Sequence, residues 1–116
     1  NMSYKWSIPD MFWPTGDDTP VYVSHEAICV LNTSDEDAVI CITLFFENDA
    51  PVILQPVHCG AKRTAHIRMD KIETAAGAHI KRGVPYAACI ESNVNLAVQY
   101  SRLDTNANCS LMTTIL

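Results

Sequence analysis

From Glu26 onward the apolar residues come in short runs broken by turn residues, and most runs carry the alternation of a β-strand. Glu26–Asn32, Ala38–Glu47, Val52–His58, Thr64–Met69, Tyr86–Ser92, Asn95–Leu103 and Ser110–Leu116 are rich in Val, Ile, Thr, Phe and Tyr. Asn32–Asp37 and Glu47–Pro51 supply loops. Cys59-Gly60-Ala61 and Ser92–Asn95 are tight enough for hairpins. Strands at this spacing, with no long helical period between them, predict a single-domain antiparallel β-sandwich. One short exception is expected. Asp70–Ala76 has a capping-box pattern, Asp70 with Glu73 three residues on, and Gly77 would end the turn of helix it starts.

The alternation differs between strands. In Thr64–Met69, Ala65, Ile67 and Met69 share one face, while Thr64, His66 and Arg68 share the other. In Asn95–Leu103, Leu96, Val98 and Tyr100 face the core, and Asn95, Ala97, Gln99 and Ser101 face out. Ala38–Phe46 does not alternate: Val39, Cys41 and Phe45 are as apolar as Ile40, Ile42, Leu44 and Phe46. Such a strand is expected to be covered on both faces. A small sandwich covers one face only, so a second subunit is the simplest cover and a homo-oligomer is expected. Residues 7–20, SIPDMFWPTGDDTP, hold three of the six prolines and read as an irregular lead-in. The division is thus a lead-in over 1–20 and a sandwich over 21–116, with Asn1 set aside as an appended residue.

Composition narrows the function. The chain has 116 residues, 48% of them hydrophobic and 18% charged, enough apolar material for one core. Eight basic against thirteen acidic residues give a net charge of −5, which disfavours nucleic-acid binding over the whole surface. Lys62, Arg63 and Arg68 form a local basic cluster that reads either as an anion site or as a solvated strand face. Five cysteines at long spacings, without C-x-x-C, read as a reduced set, and His58-Cys59 lacks a second ligand pair. Neither a metal nor a cofactor is expected. No apolar run approaches the ~18 residues of a membrane helix, so the protein is expected to be soluble and cytoplasmic.

The candidate chemistry is polar and sparse. Ser24-His25-Glu26 holds a hydroxyl, an imidazole and a carboxylate, but consecutive strand residues point to opposite faces, so the tripeptide alone cannot form a triad. It reads as the polar entry to a strand, or as part of a ligand site. Arg102 continues the core-side face of Leu96, Val98 and Tyr100 and needs a partner, with Asp104 or Glu26 in reach. That pair is either structural or an anchor for a polar ligand. His66 shares a strand face with Thr64 and Arg68. Trp13 beside Pro14 either packs on the sandwich end or stacks on a sugar ring.

SHEAICVLN, DEDAVICITLFFENDAPV, KRTAHIRMD and VPYAACIESNVNLAVQYSRLDT, in this order over roughly residues 21–105, resemble the sensory rhodopsin transducer family. The resemblance implies a β-sandwich that assembles as a homotetramer, with a signalling or ligand-binding role and no catalysis. It carries over Ser24, His25, Glu26, Asn32, Arg63, His66, Arg68, Ser92, Gln99, Arg102 and Asp104. The lead-in SIPDMFWPTGDD departs from the family's usual one. The reading that follows is a non-enzymatic cytosolic transducer whose ligand-binding residues are His25, Glu26, Arg63, His66, Gln99, Arg102 and Asp104. A small polar, sugar-like ligand, a membrane receptor or a downstream protein is the expected partner. His25, Glu26, Gln99, Arg102 and Asp104 are expected to lie together, with Arg102 forked onto a carboxylate. The alternatives are a nucleic-acid-binding regulator using Lys62, Arg63 and Arg68, and a small hydrolase or lyase using His25 and Glu26.

Overall fold

A computed structural model describes residues 2–15, 18–19, 22–106 and 110–116. Two antiparallel sheets face each other. The strands are β1 (Tyr4–Met11), β2 (His25–Asn32), β3 (Ala38–Phe46), β4 (Val52–Ile53), β5 (Val57–Cys59), β6 (Arg63–Arg68), β7 (Tyr86–Ser92), β8 (Ala97–Asp104) and β9 (Ser110–Ile115). One sheet runs β1-β7-β3-β4, with β5 also on β3, and the other runs β6-β2-β8-β9. The all-β sandwich expected from the alternation is the observed architecture. Ile28, Val30, Ile40, Ile42, Leu44, Ile90 and Val98 fill the space between the sheets and are fully buried. Each such side chain contributes about 1.5–3 kcal/mol by leaving water.

The lead-in is not irregular throughout. Tyr4–Met11 is an edge strand on β7, in register from Tyr4↔Ser92 to Ile8↔Ala88. Pro9 lacks a ladder donor, and the register shifts between Ile8 and Met11. The shift lets both Ile8 and Met11 point inward, at 4% and 0% exposure. The expected strand Val52–His58 is two strands along one edge of β3, because Leu54-Gln55-Pro56 leaves the ladder. The expected turn of helix after Asp70 is also absent. Asp70 accepts Arg68 Nε and Nη2 instead of capping. Residues 73–79 close as a tight turn, with bridges Leu54↔Thr74 and Glu73↔His79 and with Gly77 at φ 86°.

β3 buries Ala38, Ile40, Ile42 and Leu44 on its inner face. Its outer face, expected to be covered, is half open within one chain: Val39, Cys41 and Thr43 are partly exposed, and Phe45 is exposed. Asn32 locks the corner after β2. Its Nδ2 donates to the carbonyls of Glu36, Cys59 and Gly60, and its Oδ1 accepts from Ser34 N and Oγ. Cys29, Cys41, Cys59 and Cys89 are free thiols. Cys109 lies outside the described residues, as do Gly16, Asp17, Pro20 and Val21 of the expected lead-in and its boundary. Among the described residues no helix is long and apolar enough to cross a membrane.

Candidate functional site

β2 and β8 are neighbours, so the two polar blocks meet. Glu26 pairs with Arg102, His25 with Leu103 and Cys29 with Gln99. The pleat then separates them. Glu26, Tyr100 and Arg102 lie on the inner face, whereas His25 and Gln99 lie on the outer one. The five residues expected together therefore form no single site. Asp104 ends β8 and accepts Asn106 N at 2.9 Å, without reaching Arg102.

The inner group is a clasp between the sheets. Glu26 is wholly buried. Its Oε1 accepts Tyr86 Oη at 2.6 Å, from the opposite sheet. Its Oε2 accepts Tyr100 Oη, from the same sheet, and Phe12 N at 2.7 Å. Burial pushes the Tyr86 phenol far above its ordinary range, and the Glu26 charge adds to the shift. Tyr100 shifts the same way through burial and its hydrogen bond to Glu26. Arg102 does pair with a carboxylate, but not by the expected fork. Its Nε lies 3.9 Å from Glu26 Oε2 and its Nη2 lies 3.8 Å from Asp10 Oδ1. The hydrogen bond goes from Nε to Tyr100 Oη at 3.1 Å, so the hydroxyl relays the cation to Glu26. Nη2 itself is buried without a hydrogen bond. Three donors already occupy Glu26, and His25 is on the other side of the sheet. The His25–Glu26 pair of the hydrolase reading does not form.

Ser24 belongs to a second network. Its Oγ lies 2.7 Å from Thr105 Oγ1 and accepts Thr105 N at 2.9 Å. Its N donates to Asp18 Oδ1, and its carbonyl accepts Trp13 Nε1 at 2.7 Å. Arg82 forks onto Asp18 at 2.7 and 2.8 Å, donates to Pro14 O, and lies over the Trp13 ring. These hydrogen bonds hold the Asp18 carboxyl well below the usual carboxylate range. Trp13 thus packs on the sandwich end, and the segment before β2 is stitched to the end of β8.

The outer face of the β6-β2-β8-β9 sheet carries the remaining polar groups. His25 lines a surface pocket of about 310 Å³ with Val23, Arg68, Asp70, Lys71 and Leu103. Its Nδ1 is 2.7 Å from Val23 O. Burial alone would raise Asp70, but the Arg68 hydrogen bonds and charge outweigh it and leave the carboxyl lowered. His66 and Gln99 flank Cys29 on this face and line a pocket of about 270 Å³. Arg63 is in phase with the inward Ile67 and not with this face; it is exposed at the open start of β6 and donates to Lys62 O. Lys62 sits 3.0 Å from Asp35, and Arg68 is forked onto Asp70, so the basic cluster is largely neutralised by its own neighbours. Among the described residues no group of three His, Cys, Asp or Glu side chains is placed to hold a metal ion.

Sequence reasoning passed over Tyr86, Asp10, Asp18, Arg82 and Thr105. Tyr86 and Tyr100 fall in phase with core positions, and a phenol buried opposite an inward Glu is a readable signal. Asp18 and Arg82 are 64 residues apart, with no periodicity to join them.

The profile of the family described as Anabaena sensory rhodopsin transducer matches residues 2–116. The crystal structure of Thermotoga maritima 1070 is 40% identical over 99% of this chain and 93% of that one, with a TM-score of 0.86. The structure named Anabaena sensory rhodopsin transducer is 34% identical over 87% of this chain and 88% of that one, with a TM-score of 0.75. No curated protein matches the chain.

Proposed function

The chain belongs to the Anabaena sensory rhodopsin transducer family, and from that membership we propose a non-enzymatic, cytoplasmic transducer that works through protein contacts as a homotetramer. The observation that carries the reading is β9. Every residue of Ser110–Ile115 is exposed, on a sheet edge, and none is charged. An uncharged open edge strand is a surface for another polypeptide. The half-open apolar face of β3 offers a second such surface. A receptor related to the one in the Anabaena protein's name, or a downstream protein, is the partner class this reading assigns.

The outer-face pocket at His25 is the place the reading assigns to a small polar, sugar-like ligand. Arg68, Asp70 and Lys71 supply donors and an acceptor around the imidazole. His66 and Gln99 extend that face, Arg63 stands at the far end of β6 on the opposite phase of the pleat, and Glu26, Arg102 and Asp104 set the strands behind it. The chemistry suits hydroxyls and a carboxylate, so sugar acids are the preferred probes. A thermal-shift series with neutral sugars, sugar acids and nucleotides tests it. A ligand at one hundred times its Kd stabilises the folded chain by about 2.7 kcal/mol. The expected result is a raised Tm with a sugar acid that is lost in His25→Ala. A flat response to every compound at millimolar concentration defeats the ligand half of the proposal.

A further inference from the structure

A separate pocket of about 420 Å³ opens at the other edge of the molecule, between the β3–β4 end and the segment 72–84. Its floor is apolar: Leu44 and Ile80 are buried, and Phe46, Val52 and Val84 are partly so. Its rim carries three exposed ionisable side chains, Asp49, His79 and Lys81. Among the described residues none of the three has an ion-pair partner. Asp18, Asp70, Glu91 and Asp35, by contrast, all sit against a Lys or Arg. An apolar floor below one unpaired carboxylate and one unpaired ammonium is complementary to a small zwitterion with an apolar body.

The wall is held in place before any ligand arrives. Gln55 N donates to Glu73 O and Ala75 N to Ile53 O, both at 2.9 Å, tying the segment to the sheet edge. Thr74 N donates to Ala78 O at 2.7 Å across the turn that Gly77 allows. Next to Lys81, Arg82 is anchored on Asp18 and Pro14, and Gly83 N donates to Trp13 O. A pocket whose walls are already ordered loses little entropy on binding.

We propose that this pocket binds an apolar α-amino acid, with its side chain on the Leu44–Phe46–Ile80 floor, its carboxylate on Lys81 and its ammonium on Asp49. His79, two residues before Lys81 on the same rim, offers a further donor to the carboxylate. The site is independent of the sugar-like ligand and of the protein contacts proposed above.

Isothermal titration of the intact chain with L-leucine and L-phenylalanine tests this. Three leucine analogues each lack one feature: 4-methylpentanoate lacks the ammonium, isoamylamine lacks the carboxylate, and glycine lacks the apolar body. The expected result is saturable binding of at least one of the two amino acids, and about tenfold or greater weakening with each analogue. Lys81→Ala and Asp49→Ala, both at exposed positions, each weaken the amino acid by a similar factor while the far-UV spectrum is unchanged. Ala78→Phe fills the pocket and abolishes binding. Because Ala78→Phe alone could disturb the turn, the two charge variants carry the decision. Absence of binding at about ten Kd-equivalents of a millimolar site, or binding unaffected by both charge variants, overturns the proposal. Binding of the amine or the acid alone as tightly as the amino acid also overturns it.

Discussion

Glu26 is the residue on which the sandwich interior turns. One carboxylate accepts from Tyr86, Tyr100 and Phe12 N, and stands near Arg102. Glu26→Leu leaves two phenols and an amide without their acceptor, and the Arg102 guanidinium without its buried counter-charge. Breaking a buried pair this way costs about 3–5 kcal/mol, readable as a lower midpoint in urea. Removing Arg102 as well takes away the stranded charge, so Glu26→Leu/Arg102→Leu should be more stable than Glu26→Leu alone. A double variant less stable than the single would show that Arg102 is held by packing rather than by charge. The same cluster sets an alkaline limit. Both phenols have raised pKa values in the folded state. Their stabilisation is complete below the ordinary tyrosine value of about 10 and is lost as pH rises above it, because the unfolded chain then releases protons that the folded chain keeps. The Tm should fall steeply above that point, and Tyr86→Phe should flatten the fall. The pleat explains what the sequence disclosed here. Parity put Arg102 inward with Asp104 or Glu26 as its partner, and the register sets it opposite Glu26. Parity also put His25 and Gln99 outward, so the five-residue site was excluded by the rule that made Arg102 legible.

At the scale of elements, β2, β3, β6, β7 and β8 were legible because each alternates or is continuously apolar over five or more residues. The misreadings fall where one residue overrides a pattern. Pro9 made β1 look irregular, yet an edge strand tolerates a missing donor, and the shift beside it keeps Ile8 and Met11 inward. Asp70 looked like a cap, but Arg68 two residues earlier is a stronger partner for its carboxylate than a backbone amide. Ser24, Asn32 and Ser92 came from the family blocks as motif positions, outside the expected ligand-binding set. All three are fully buried and hydrogen-bonded at chain reversals or strand entries. The turn at Gly77 gives a direct test of the element that replaced the expected helix. At φ 86° an added Cβ meets only Glu73 Oε1, in ordinary contact at 3.9 Å, so the cost of Gly77→Ala is backbone strain and not a clash. The expected loss is about 1 kcal/mol in chemical denaturation. Had Asp70–Ala76 been helical with Gly77 merely following it, the same change would be close to neutral.

The whole molecule presents more apolar surface than one chain can cover. Leu111 and Ile115 are 70% and 79% exposed on β9, and Leu31 is exposed on the same outer face. Across the sandwich, Phe45 and Ile53 are exposed beside the part-open Cys41 and Cys89. These are two separate faces on opposite sheets, and two distinct self-complementary contacts are what a tetramer built as a dimer of dimers requires. Light scattering behind a sizing column should therefore give a mass near four times 12.8 kDa. The two contacts should also come apart independently. A lysine within an apolar contact is disfavoured because its ammonium must be desolvated without a partner. Ile115→Lys should break the β9 contact and Phe45→Lys the β3 contact, each leaving a species of half the mass, and the double variant should run as a monomer. Neither position is buried within the chain, so the single-chain fold and its β-sheet spectrum should persist in all three proteins. A wild-type monomer at micromolar concentration would remove the tetramer. A tetramer indifferent to both lysines would move its contacts elsewhere on the surface and leave β9 an open edge.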